Sequence, residues 1–267
     1  MEVENDLFIY DVHAHVFPDK IAQKASDSIG GFYDLHMDCD GTVNQLLDQA
    51  AQNGINRICI HSVALNVHAM TSINTFIHSQ LQAHPGMFTG MAAIHPDCGD
   101  FDRLIDEVRA QGFRGFKIHP DMKKFALDDK SAMDMFAAIE GRMPVIIHTG
   151  DYRYDYSHPE QMKRVLDAFP RLTCVCAHLG GWSEWDDAYR FLARYDNVYV
   201  DTSSSLYALT PERAAGIIRH YATERVMFGT DYPMWSAKEE LARIAAVPLT
   251  DRERERIMGQ NALELIG

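Results

Sequence analysis

At 267 residues, with 46% apolar and 24% charged side chains, the chain has the composition of an ordinary globular protein. Lysine plus arginine number 25 against 38 aspartate plus glutamate, a formal charge of −13 that opposes any nucleic-acid backbone. No window approaches the roughly 18 consecutive apolar residues of a membrane helix. The stretch Met1–Asp6 is acidic, unlike a signal peptide, and five cysteines without a C-x-x-C spacing fit reduced thiols in a cytoplasmic protein.

Along the chain, short apolar runs rich in β-branched residues recur at 7–12, 56–60, 87–94, 113–118, 144–147, 172–177, 197–200 and 225–229. That is the pattern of parallel strands buried on both faces. Amphipathic patterns between them predict helices over 43–53, 101–111, 131–140, 159–168, 184–194, 210–221 and 236–246. Thr210-Pro211-Glu212 is a helix start and Asn53-Gly54 a helix stop. Residues 16–42 read as a long first loop, 150–159 as a polar, aromatic fifth loop, and 250–266 as a helical cap. Eight strand–helix units in this length predict one α/β domain over 1–267, a (β/α)8 TIM barrel, with a doubly wound open sheet as the alternative.

Active sites of such barrels lie at the carboxyl ends of the strands. Seven of the thirteen histidines fall there: His13, His15, His61, His95, His119, His148 and His178. Strand eight ends on Asp231. Residues i and i+2 of a strand share a face, so His13 and His15 enter the lumen together. Two imidazoles with a further histidine, His148, and a carboxylate, Asp231, make a divalent-metal set with one position open, which lowers the pKa of a bound water toward neutrality. His61 and His95 read as hydrogen-bonded core histidines. Cys174 and Cys176 are expected one on each face of strand six.

The set formed by Asp11-Val12-His13-Ala14-His15, Gly115-Phe116-Lys117-Ile118-His119-Pro120, His148-Thr149-Gly150, His178-Leu179-Gly180-Gly181 and Gly229-Thr230-Asp231 resembles the amidohydrolase superfamily. It is most similar to the branch that contains aminocarboxymuconate-semialdehyde decarboxylase. The resemblance implies that His13, His15, His148 and Asp231 hold one divalent metal, usually Zn2+. It implies that His178 polarises the substrate or acts as an acid and that Asp231 is the general base. A second metal becomes possible if Lys117 is carboxylated. Lys117 and His119 are otherwise expected to contact the substrate. The family's habit suggests a homodimer.

In the fifth loop, Arg153 stands among Tyr152, Tyr154 and Tyr156, a combination suited to a small anionic, cyclic substrate. Loop 16–42, with Phe17, Phe32, Tyr33 and His36, is expected to act as a lid or a dimer contact. Trp182, Trp185 and Trp235 are expected to wall the pocket or pack in its rim. The leading expectation is a metal-dependent hydrolase of an amide, ester or lactone in a small molecule. A nonoxidative decarboxylase on the same site is the alternative. A noncatalytic barrel and a nuclease barrel are disfavoured by the complete ligand set and by Lys117 and His119 on strand four.

Overall fold

A computed structural model describes residues 7–267; the acidic Met1–Asp6 stretch lies outside them. Eight parallel strands follow one another around a single sheet: β1 Tyr10–His15, β2 Arg57–His61, β3 Phe88–Ala93, β4 Gly115–Ile118, β5 Val145–Ile147, β6 Cys174–Cys176, β7 Val198–Asp201 and β8 Val226–Met227. The ends of the sheet meet. Val12 N–H donates to Phe228 O at 2.9 Å and Asp231 N–H to His13 O at 2.8 Å, so β8 closes onto β1. The molecule is a (β/α)8 TIM barrel.

Alternation sorts the side chains. Val145 and Ile147 of β5 join the core between strands and helices, whereas Ile146 joins a second cluster with Tyr10, Val12, Cys59, Met91, Val175 and Met227. Residues from so many strands converge only in the lumen, which this cluster fills. Cys174 and Cys176, expected on opposite faces, both lie in the outer core, because a spacing of two puts them on one face and leaves Val175 to the lumen. All five cysteines are free thiols.

β1 carries an irregularity that matters for the site. Asp11 pairs with Ile58 and Ala14 with Ile60, three steps against two, so one extra residue bulges out of β1. Tyr10 and Val12 point into the lumen below the bulge, and His13 and His15 point into it above.

The helices are α1 Asp19–Tyr33, α2 Val43–Asn53, α3 Val67–Ala83, α4 Phe101–Ala110, α5 Pro120–Lys123, α6 Lys130–Ile139, α7 Pro159–Ala168, α8 Trp185–Leu192, α9 Pro211–Tyr221, α10 Ala237–Ala246, α11 Asp251–Glu255 and α12 Asn261–Ile266. α1 lies inside the segment expected to be a loop. Its buried face is Ala22, Ser26 and Gly30, small residues at i, i+4 and i+8 that hydropathy does not register. A Cβ on Gly30 would stand 2.9 Å from Leu35 O, so only glycine lets the chain turn back so tightly. The expected cap over 250–266 is three pieces, α11, a π-helical turn at Arg256–Gln260 and α12; Ala262 and Ile266 of α12 close the bottom of the lumen. No described helix is long and apolar enough to cross a membrane.

Candidate metal centre and active site

The strand ends surround a cavity of about 300 Å³. Its floor is His13, His15, Lys117, His119, His148, His178 and Asp231, and its walls include Phe17, Ile29, Phe32, Val63, Leu65, Met122 and Met234. The floor histidines are nearly or fully buried. Burial first, and then neighbouring positive charge, holds His13, His15 and His119 far below the usual imidazole pKa, so all three are neutral.

A hydrogen-bond network fixes their tautomers. Asp201, at the end of β7, lies 2.9 Å from His13 Nδ1 and accepts its proton, which turns the Nε2 lone pair inward. That lone pair accepts from Lys117 Nζ at 3.0 Å. His178 Nδ1–H donates to Ser203 O at 3.0 Å, so its Nε2 accepts from His148 Nδ1 at 3.0 Å. His148 then directs Nε2 toward Asp121, 3.7 Å from Oδ2. His119 stacks on His148 with centroids 3.9 Å apart, and its Nε2 meets the Tyr33 hydroxyl at 2.7 Å.

Asp231 sits at the centre. Its Oδ1 is 3.4 Å from His13 Nε2 and 3.6 Å from His15 Nε2, and Ser204 Oγ donates to its Oδ2 at 2.5 Å. A tetrahedral ion with bonds of about 2.0–2.1 Å sets its ligands about 3.3 Å apart. Asp231 Oδ1 already stands near that spacing from each of the two imidazole nitrogens, and the ammonium of Lys117 beside His13 shows that the position accepts positive charge. The residues therefore fit a divalent metal. His13, Asp231 and His178 also group within metal-binding range.

Of the expected ligands, the structure brings His13, His15 and Asp231 together. His148 is set apart, paired with His178 and facing Asp121. Burial raises Asp231 to about 6 against the pull of Ser204 and Lys117, and lowers Lys117 to about 8 against Asp201 and Asp231. Asp231 and His178 both have φ of +61°, a left-handed conformation that costs non-glycine residues about 1–2 kcal/mol. The network above pins both.

Arg153 does not line the cavity. Its Nε and Nη2 bind the Asp151 carboxylate at 2.9 and 2.7 Å and its Nη1 donates to Phe32 O at 2.6 Å, among the rings of Phe32, Tyr33, Tyr154 and Trp182. The guanidinium that was expected to meet substrate instead clips the end of α1 to the fifth loop. Phe17, Phe32 and Tyr33 line the cavity as a lid would, whereas His36 is exposed. The three tryptophans stay in the rim, where Trp185 Nε1 donates to His178 O at 3.1 Å and Trp235 Nε1 to Ser204 Oγ at 2.9 Å.

Sequence reasoning missed Asp201, Ser203, Ser204 and Asp121, and had Tyr33 as a lid residue without its bond to His119. The one available signal was Asp201, an acid at a strand end. His95 has the partner expected of a structural histidine, Asp97 N–H at 3.2 Å, but buried His61 has none on either ring nitrogen. An unmade bond to a buried polar group costs about 1–3 kcal/mol.

A family model described as amidohydrolase matches residues 10–267. An uncharacterised TIM-barrel protein from Bordetella bronchiseptica superposes with a TM-score of 0.78 at 22% identity, covering 97% of this chain and 98% of that one. A dihydroxybenzoic acid decarboxylase from Polaromonas sp. JS666, with bound manganese and the inhibitor 2-nitroresorcinol, gives 0.75 at 13%, covering 97% and 96%. The 5-carboxyvanillate decarboxylase of Sphingomonas paucimobilis gives 0.73 at 18%, covering 97% and 99%. Among curated proteins none matches the chain significantly. Because the family match spans the barrel from its first strand to the last residue, the chain belongs to the amidohydrolase family.

Proposed function

We propose that the protein is a metal-dependent carbon–carbon lyase that removes carbon dioxide from a small, flat, anionic acid. The observation that carries this reading is a single cavity with an apolar wall on one side and an ammonium, a carboxylate and neutral imidazoles on the other. A planar ring fits the wall formed by Phe17, Phe32 and Met234, and its carboxylate fits Lys117. The solved decarboxylases of dihydroxybenzoate and 5-carboxyvanillate support the lyase, the alternative reading of the sequence, over the hydrolase.

His13, His15 and Asp231 would hold the divalent ion. When bound it supplies an electron sink next to the substrate's oxygens. The Polaromonas enzyme carries manganese, and two imidazoles with a carboxylate suit manganese as well as the expected zinc. Lys117 anchors the substrate carboxylate, while His119 borders the ring with its Nε2 held by Tyr33. His178 stands beside Asp231, with Nδ1 4.0 Å from Oδ2 and its N–H held by Ser203 O. Asp231 enters the step carrying a proton taken from solvent; as the carbon–carbon bond breaks, its electron pair stays on the ring carbon and takes that proton, and carbon dioxide leaves. Solvent then returns a proton to Asp231.

Incubation with hydroxylated benzoates in D2O tests this. The lyase releases carbon dioxide and places one deuterium on the former carboxyl carbon, and Asp231→Asn slows turnover by about 10²–10⁴-fold. Incorporation of ¹⁸O from labelled water into the product, without carbon dioxide, would make the enzyme a hydrolase.

A further inference from the structure

α1 ends on a tyrosine whose hydroxyl reaches the floor of the cavity. Tyr33 Oη lies 2.7 Å from His119 Nε2, and both side chains line the cavity. Which of the two donates follows from the other side of the imidazole. His119 Nδ1 stands 3.3 Å from the backbone nitrogen of Met122, the bond by which His119 caps α5. A backbone N–H only donates, so Nδ1 carries the lone pair and the proton of the ring is on Nε2. His119 Nε2–H therefore donates to Tyr33 Oη, and the tyrosine's own proton is left to point elsewhere. No described residue accepts it. The ring that carries this hydroxyl is held firmly. Phe32 O accepts from Arg153 Nη1 at 2.6 Å, the Arg153 guanidinium lies 5.2 Å over the Tyr33 ring, and Trp182 packs edge-on to that ring with centroids 5.0 Å apart.

We propose that the Tyr33 hydroxyl is a specificity-determining hydrogen-bond donor, which reads an oxygen on the substrate's ring other than the carboxylate held by Lys117. The inference rests on the reading of the cavity as the site of a flat anionic acid and deepens it. It narrows the class to acids whose ring carries a second oxygen, as hydroxyl, oxyanion or carboxylate. Lys117 rises from β4 beside His13, whereas Tyr33 comes from the end of α1 onto His119, so the two donors address different atoms of a bound molecule. An acid with no oxygen at that place leaves the tyrosine's proton enclosed without an acceptor, and a site built on such a donor rejects the analogue that lacks the acceptor.

The test is ligand discrimination by wild type and Tyr33→Phe. Both proteins, supplied with Mn2+, are titrated calorimetrically with benzoate, the monohydroxybenzoates and the benzenedicarboxylates, and thermal melts report folding. Wild type is expected to bind at least one of the oxygenated acids about 10–100-fold more tightly than benzoate. Tyr33→Phe is expected to melt with wild type, to lose that advantage and to hold benzoate as wild type does. A His119 displaced by the loss of its partner would weaken benzoate equally, so the benzoate value separates recognition from support. Equal losses for benzoate and the oxygenated acids, no loss for either, or a wild type that prefers none of them to benzoate would overturn the role of Tyr33 and leave the proposed function standing. So would a His119 ring proton found on Nδ1 in ¹⁵N spectra of the histidines, assigned with His119→Gln. Wild type that binds none of the acids would overturn the reading of the cavity, and this inference with it.

Discussion

Asp201 serves three residues at once. It accepts from His13 Nδ1 at 2.9 Å, and its Oδ1 receives the backbone N–H of His178 and of Ser203, each at 3.1 Å. Removing its charge would let His13 turn the wrong nitrogen to the ion, so Asp201→Asn is expected to weaken Mn2+ or Zn2+ binding about 10–100-fold, measured by titration of the metal-free protein. The strand-end histidines themselves were legible, because a strand end is visible in sequence and the barrel fixes which way it faces. What they bond to was not. Whether His148 joins His13 or His178 is decided by the Ser203 carbonyl, a backbone atom on a loop from another strand, and no pattern of residue types records its position. Lys117 was legible as a lumen lysine, but its contact with His13 Nε2 depends on the same network.

At the level of elements, the parallel strands were readable from their β-branched runs, and most helices from their amphipathic faces and caps. α1 was hidden because small residues face its core. Its C-terminal end is held by Arg153, which is also the counter-ion of fully buried Asp151. Arg153→Ala therefore strands a buried carboxylate and frees the end of α1. The expected cost is about 2–4 kcal/mol in urea denaturation, with faster proteolysis between α1 and α2, and adding Asp151→Asn should recover part of the loss. On the far side, Glu253 caps α11 through Thr250 and binds Arg219 of α9 at 2.8 Å, which pulls its pKa from 4.5 to about 2. The unfolded chain thus takes up this proton first, and the stabilisation present above pH 4.5 fades as pH falls toward 2. For so accessible a pair about 1 kcal/mol is expected. Melting curves of Glu253→Gln and wild type should differ at pH 7 and converge near the acid end.

Across the whole molecule, the barrel has two ends with separate duties. Ile266 and Ala262 of α12 plug the bottom, while every residue of the cavity belongs to the top. Ile266→Ala should cost about 2 kcal/mol, read from the urea midpoint, and leave metal affinity unchanged. The eightfold repetition was legible, and so was the chemistry of the top. The bulge in β1 was not, since an extra residue within a strand leaves no mark in hydropathy. An unbroken alternation would force one choice on β1: face Tyr10 and Val12 inward to close the core, or face His13 and His15 inward to build the site. The inserted residue removes that choice by giving the strand two phases. Deleting any one residue from Asp11 to Ala14 would return the strand to a single phase, turning either its aromatic foot or its imidazoles toward the helices. A gap at that point in a homologous sequence is thus a stronger sign of a lost metal centre than the replacement of either histidine, because it redirects both at once.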